Sequence, residues 1–174
     1  MTNDENATQQ LASKAVTAAL ATVRTKIFMD TEFTGLHQAT TLISISLVSE
    51  CGKTFYAEFT DYAKEQLDEW LLTNVIANTR WLKDPEYTAT DWMTHHLTNA
   101  TEVFGNTTLI KYELELWLLQ FPACEMIADT LAYDWVLFNN IWGHAFTIPK
   151  NIFYIPTDIS VLFALIKKDA ECII

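Results

Sequence analysis

Two carboxylates, Asp30 and Glu32, stand one residue apart at the end of a short apolar run. Ile27, Phe28 and Met29 predict a buried strand, and side chains two apart on a strand share a face. At a rise of roughly 3.3 Å per residue their stems lie about 6.6 Å apart, so their oxygens can converge on one cation. Hard oxygen ligands favour Mg²⁺, Ca²⁺ or Mn²⁺ over zinc. Without its neighbours, the pair is equally compatible with a solvated loop.

The charge of the chain limits how it can hold a nucleic acid. Its 174 residues, half of them apolar, suit one packed domain, and the net charge is −11. A nonspecific duplex binder normally carries a basic stripe that releases counterions from the phosphates. That class is excluded, so any nucleic acid must be held locally, chiefly through bound cations at one chain end.

The remaining composition predicts a cytoplasmic protein that does not enter the membrane. Its three cysteines, an odd number without metal-ligand spacing, are typical of thiols in a reducing compartment. The acidic, polar start at residues 1–6 is unlike a secretory signal. No apolar run in the sequence approaches the roughly 18 residues that a membrane-spanning helix needs.

The pattern along the chain predicts an N-terminal extension, residues 1–25, followed by one domain, residues 26–174. In the extension, apolar residues recur at the spacing of an amphipathic helix, namely Leu11, Ala15, Ala19, Leu20 and Val23. The sequence leaves open whether this helix packs on the domain or on a second copy of the chain, as a homodimer.

Strand and helix patterns follow one another in a definite order within the domain. Three strands are predicted first, at residues 26–32, 41–50 and 54–60, with the alternation of an antiparallel meander. Helices are predicted at 61–72, 88–99, 107–120, 133–142 and from about 157 to 168, with a further strand at 125–129. The expected apolar stripe of helix 107–120 is Leu109, Tyr112, Leu116 and Leu119.

Three stretches of the chain resemble the DEDD superfamily of 3′–5′ exonucleases. Residues 30–36, Asp-Thr-Glu-Phe-Thr-Gly-Leu, look like the first motif of that superfamily. Residues 42–59 and 129–138, the latter containing Ala-Tyr-Asp-Trp, are similar to its RNase AS-type branch of polyadenylate-specific exoribonucleases. The resemblance covers about residues 26–163. It implies an RNase H-like α/β fold, in which helices flank a mixed sheet of three antiparallel strands followed by parallel strands.

The resemblance also implies a metal site and a reaction. In this family, four carboxylates hold two Mg²⁺ or Mn²⁺ ions about 3.5–4 Å apart, which clamp the attacking water and the leaving 3′ oxygen. Asp30, Glu32 and Asp134 match three of the four metal ligands and so the catalytic residues. Asp134 also lies near a predicted helix start, where the helix dipole favours an anion. The implied substrate is the 3′ end of single-stranded RNA or DNA, and the branch favours RNA.

Residues beside the metal pair match the family's substrate-binding positions, here Phe33, Thr34 and Leu36. The family uses the positions of Phe33 and Leu36 to stack on, or wedge beside, the terminal base. Gly35 predicts a turn that exposes Leu36, which favours a substrate contact there. Core packing is an equally good interpretation of Phe33.

The family's third motif, His-x-x-x-x-Asp, has no counterpart among these residues. Asp158 begins a segment similar to the one that precedes that motif, and Asp169-Ala170 is similar to its end, but Ala164 replaces the histidine. None of the four histidines stands where the family's general base is found; they are His37, His95, His96 and His144. We expect His95 and His96 to lie on the surface of a helix. Two hypotheses stay open, and both predict weak or absent activity. The chain is a fragment of an active exonuclease, or an inactive exonuclease-like domain that binds a nucleotide or a protein.

Overall fold

The computed structural model describes residues 23–166 of the chain. The predicted N-terminal helix lies outside this range except for its last residues, and so do Asp169 and the end of the last predicted helix. The division into an extension and a domain therefore stays a prediction.

A seven-stranded mixed sheet forms the centre of the described residues. Its strands are β1 (Thr25–Phe33), β2 (Leu42–Ser49), β3 (Thr54–Phe59), β4 (Met93–His96), β5 (Ala100–Gly105), β6 (Cys124–Ala128) and β7 (Thr157–Asp158). They lie in the order β4, β5, β3, β2, β1, β6, β7 across the sheet. β1, β2 and β3 are successively antiparallel, whereas β6 runs parallel to β1 and β7 parallel to β6. The carboxyl ends of β1, β6 and β7 therefore meet at the same end of the sheet.

Four α-helices flank this sheet in the range that the structure describes. They are α1 (Glu69–Asn74), α2 (Thr107–Leu118), α3 (Ala132–Asn140) and α4 (Ile159–Leu165). α2 packs on β3 and β5, and α3 packs on β1, so that the main apolar core lies between these helices and the sheet. None of the described helices is long and apolar enough to cross a membrane.

The predicted fold class is confirmed. The sheet combines antiparallel and parallel strands and is flanked by helices, which is an α/β arrangement consistent with an RNase H-like fold. β1, β2, β3 and β6 lie within two residues of the predicted strands. The helix predicted at 133–142 is α3, and Gly143 takes a φ of +93° just beyond it, as expected where a helix ends.

Two predicted helices are wrong. Residues 61–72 form a 3₁₀ turn (Lys64–Gln66) and only the beginning of α1. Within residues 88–99, His95 and His96 lie in β4, which pairs antiparallel with β5 at the edge of the sheet. β5 itself was not predicted. Pairing of β4 with the rest of the sheet outweighs the weak helical pattern of these residues. Both histidines are exposed, as expected.

The apolar stripe predicted for α2 is also wrong. The buried apolar residues of this helix are Ile110, Leu114, Trp117 and Leu118. Of the expected stripe, Tyr112, Leu116 and Leu119 are 58%, 43% and 74% exposed. Two stripes with helical spacing compete on this helix, and the packing of α2 on β3 and β5 decides which one is buried.

Candidate active site

β1 presents two acidic side chains on the face opposite the main core. The side chains that alternate with them, including Thr31, are buried. Asp30 and Glu32 are exposed, and they lie opposite Ser46 and Ser44 of the neighbouring strand β2, respectively. The predicted shared face of the two carboxylates is therefore confirmed.

Asp134 approaches the same strand from α3. It is the third residue of that helix and is 8% exposed. Its Oδ1 accepts a hydrogen bond from the hydroxyl of Thr31, which lies between Asp30 and Glu32 in the sequence. The first turn of a helix stabilises a negative charge, so the local structure favours a carboxylate at this position.

The three predicted ligands influence one another electrostatically. Although Glu32 is exposed at the surface, partial burial of its carboxyl and the nearby charges of Asp30 and Asp134 raise its pKa. Burial also raises the pKa of Asp134, and Asp30 adds to the rise, while the hydrogen bond from Thr31 opposes it. Such mutual repulsion is the condition that a bound cation relieves.

The donor chemistry of these residues fits a divalent cation. Among residues 23–166, Asp30, Glu32 and Asp134 form no ion pair with a basic side chain. In the same range, however, no three His, Cys, Asp or Glu side chains lie close enough together to surround one ion. The carboxylates are within electrostatic reach of each other, but in this arrangement they do not surround one ion.

Asp129 is an acidic neighbour of the site that sequence reasoning did not select. It directly follows β6, and its charge adds to the burial that raises the pKa of Asp30. The sequence does contain a pattern that places Asp129 near the site. Asp129 ends a predicted apolar strand, and side chains that follow adjacent parallel strands lie at one end of a sheet.

The loop after β1 is closed at its base by hydrogen bonds. The backbone nitrogen of Thr34 donates to the carbonyl of Thr41 at 3.0 Å, and the nitrogen of Thr41 donates to the Thr34 hydroxyl at 2.9 Å. Gly35 has a φ of +155°, and a Cβ atom there would lie 2.9 Å from Nε2 of His37. The loop therefore requires glycine at this position to fold back on itself.

The three residues predicted to contact the substrate have different surroundings in this loop. Leu36 is 76% exposed, which agrees with the predicted turn. Thr34 is 3% exposed and its hydroxyl also bonds Gln66, so its role in this conformation is to close the loop. Phe33 stacks on Tyr133 of α3, with 5.4 Å between ring centroids and 15° between planes. Contact of these residues with a substrate stays a prediction.

A cleft of about 360 Å³ lies between this loop and α3. It is lined by His37 and Thr40 on one side and by Tyr133, Val136 and Asn140 on the other. Tyr133 directly precedes Asp134 on α3, but none of the three carboxylates lines the cleft. Its size and mixed lining suit a small planar ligand with polar edges.

Comparison with known proteins identifies two relatives, both named 3′–5′ exoribonuclease, from two strains of Mycobacterium tuberculosis. Each is 27% identical to this chain over 129 residues, which is 73% of the chain and 67% of the relative. The similarity supports an exonuclease family. No protein-family model matches the chain.

Proposed function

We propose that this protein is a metal-dependent 3′–5′ exonuclease that hydrolyses single-stranded RNA from its 3′ end. One observation carries the proposal. Partial burial and the charges of Asp30 and Asp134 raise the pKa of Glu32, so the three carboxylates are within electrostatic reach of one another, and none has a basic partner among the described residues. The names of the two relatives and the similarity of residues 30–36 to the DEDD first motif support the choice of reaction.

The reaction is hydrolysis of the terminal phosphodiester bond. Water adds to phosphorus, the bond from phosphorus to the 3′ oxygen breaks, and that oxygen takes up a proton. The products are a nucleoside 5′-monophosphate and a chain one nucleotide shorter. A bound Mg²⁺ or Mn²⁺ supplies Lewis-acid chemistry and neutralises the charge that develops on the phosphate.

The residues of this chain hold the ion and orient the chain end. Asp30, Glu32 and Asp134 would supply carboxylate oxygens to the ion, and Thr31 donates a hydrogen bond to one oxygen of Asp134. The cleft beside Tyr133 accepts the terminal nucleoside, whose base stacks on an aromatic ring. Leu36, exposed at the tip of the loop, contacts the base from the side opposite α3.

RNA is the substrate that we expect, and this choice rests on the branch resemblance and on the relatives' name. The net charge of −11 argues against a long footprint on the strand. Recognition is therefore concentrated on the last nucleotides, and sequences far from the 3′ end should not affect binding.

The experiment that tests this proposal uses a single-stranded RNA labelled at its 5′ end. With Mn²⁺, the chain should produce a weak ladder of progressively shorter labelled products, because the family's third motif has no counterpart in it, and EDTA should abolish this ladder. Glu32→Gln should remove the activity, whereas Glu65→Gln, at an exposed carboxylate on the 3₁₀ turn, should retain it. An identical DNA strand tests the preference for RNA.

Three results would contradict the proposal. Release of the label as a mononucleotide would indicate digestion from the 5′ end. Activity that survives Glu32→Gln would come from another site or from a contaminant. Binding of a nucleoside monophosphate without any cleavage would favour the inactive exonuclease-like domain.

A further inference from the structure

A cavity of about 450 Å³, here called the β4 cavity, lies beside β4 at the edge of the sheet. Three strands separate β4 from β1, so at about 4.8 Å from strand to strand the two lie roughly 19 Å apart. The β4 cavity is therefore separate from the candidate active site. Aromatic and acidic residues line it together with one threonine and one methionine, namely Glu86, Tyr87, Thr90, Asp91, Trp92, Met93 and Phe104.

The aromatic residues of the β4 cavity differ in how much they are covered. Tyr87 packs edge to face against Phe104, with 5.6 Å between ring centroids and 72° between planes, and Phe104 is 1% exposed. Trp92 is 73% exposed. Among residues 23–166, neither an aromatic ring nor a basic side chain stacks on Trp92. Its ring is therefore free to contact a ligand.

Two exposed carboxylates of the β4 cavity lack a basic partner in the described part of the chain. Glu86 and Asp91 form no ion pair there, and neither lysine nor arginine lines the cavity. Oδ2 of Asp91 accepts hydrogen bonds from the backbone nitrogen of Thr88 at 2.6 Å and from its hydroxyl at 3.0 Å, which hold the side chain in place. Its Oδ1 is left to bind a ligand.

This lining selects an organic cation. The face of an aromatic ring attracts a positive charge, whereas two unpaired carboxylates repel an anion such as a phosphate group. The net charge of −11 also attracts cationic partners from solution. A guanidinium group fits better than an ammonium group, because it is planar, stacks on aromatic rings and binds a carboxylate through two N–H groups.

The neighbouring strand indicates that this cation belongs to a polypeptide. β4 is the outermost strand of the sheet and pairs with β5 on one side. The outward backbone groups of Met93–His96 are therefore open to a further strand. Met93 lines the cavity, so a peptide that extends the sheet along β4 can direct alternate side chains to the face on which the cavity lies.

We propose that the β4 cavity binds an arginine side chain of a partner peptide that adds to the sheet along β4. The guanidinium group stacks on Trp92 and pairs with the carboxylates of Glu86 and Asp91, while the peptide backbone bonds to the outer edge of β4. This inference is independent of the proposed function, because it involves none of the carboxylates of the candidate active site and requires neither a metal ion nor RNA.

The test uses the intact chain and a fluorescently labelled peptide, Thr-Val-Arg-Val-Thr, whose β-branched residues favour an extended strand. Fluorescence anisotropy measures its affinity. Citrulline has nearly the shape of arginine without the charge, so replacing the arginine with citrulline should weaken binding about fivefold or more. Higher salt should weaken binding of the arginine peptide, since the carboxylates are exposed.

Matched variants of the chain locate the binding site. Trp92→Ala should weaken binding of the arginine peptide about fivefold or more, whereas Trp70→Ala, at a 64% exposed tryptophan on α1, should bind it like the wild type. Glu86→Gln should also weaken binding, whereas Glu65→Gln should leave it unchanged. The melting temperature of each variant should match that of the wild type, which shows that the fold is intact.

Four results would overturn this inference. Equal affinity for the arginine and citrulline peptides would show that the charge is not recognised. Unchanged binding by Trp92→Ala, or an equal loss in Trp70→Ala, would place the peptide elsewhere. A peptide with lysine in place of arginine that binds as tightly would contradict recognition of a guanidinium group. A wild type that binds none of the peptides would refute the site, while the exonuclease assay would be unaffected.

Discussion

Thr31 of β1 donates a hydrogen bond to Asp134 of α3, although the two residues are 103 positions apart in the chain. The bond joins the strand that carries Asp30 and Glu32 to the helix that carries the third carboxylate. It is buried, and it connects a side chain on the core face of β1 with a helix carboxylate that is itself only 8% exposed. Thr31 therefore sets where α3 places its aspartate.

Thr31→Val keeps the shape of the side chain and removes the hydroxyl. We expect the free energy of unfolding to fall by about 1.5–3 kcal/mol, the range for a hydrogen bond to a charged group. Urea denaturation at neutral pH measures the loss. Thr31→Ser, which retains the donor, should lose less stability than Thr31→Val. Equal stability of Thr31→Val and the wild type would contradict the role of this bond.

The stability of the metal-free protein should fall as the pH rises. Burial raises the pKa of Asp30, and burial together with the charge of Asp30 raises that of Glu32. A carboxyl with a raised folded-state pKa stabilises the fold fully below its unfolded pKa of about 4, and this contribution is lost as the pH rises through the folded pKa.

Asp30→Asn should therefore raise the melting temperature in EDTA at pH 7 and change it much less near pH 3.5, where the carboxyl is mostly protonated in both states. Excess Mn²⁺ should reverse the order at pH 7, because the ion stabilises only a protein that binds it. Glu65→Gln serves as the control. A gain of equal size at both pH values would refute the electrostatic explanation.

Glu58 of β3 fixes the segment that follows α1. It is 0% exposed, and its carboxylate accepts hydrogen bonds from the backbone nitrogens of Arg80, Trp81 and Leu82 and from the hydroxyl of Tyr56. Glu58→Gln turns one acceptor oxygen into a donor that faces these groups, so the free energy of unfolding should fall by about 3 kcal/mol. Urea denaturation measures it, and a loss no larger than that of Glu65→Gln would be contrary to this role.

Tyr133 should contribute to binding of the terminal nucleoside. Stacking of a base on an aromatic ring contributes roughly 1–3 kcal/mol, so Tyr133→Ala should weaken the binding of AMP, measured by calorimetry with Mn²⁺ present. Tyr112→Ala, at a 58% exposed tyrosine on α2, is the matched control. If both variants bind AMP equally well, the cleft beside Tyr133 is not the nucleoside site.

Local patterns predicted those parts of the site that depend on one element. The alternation in β1 gave Asp30 and Glu32 a common face, and the apolar run with its flanking glycine predicted α3 with Asp134 near its start. These features follow from the periods of a strand and a helix. The exposed turn at Leu36 follows likewise from Gly35.

The contacts between separate strands and helices could not be predicted from the sequence. The hydrogen bond from Thr31 to Asp134 and the position of Asp129 beside Asp30 depend on how β6 and α3 lie against β1. The two competing stripes of α2 and the pairing of β4 with β5 are decided by the same tertiary contacts. A single sequence contains no measure of which packing is more favourable.

Isothermal titration calorimetry of the intact chain with Mn²⁺ tests the central claim most directly, because it does not depend on catalysis. The wild type and Glu65→Gln should bind the ion with the same affinity. Asp30→Asn should bind at least about tenfold more weakly, since a carboxylate ligand is lost. Equal Mn²⁺ affinity in the wild type and Asp30→Asn would contradict the assignment of Asp30, Glu32 and Asp134 as a cation site.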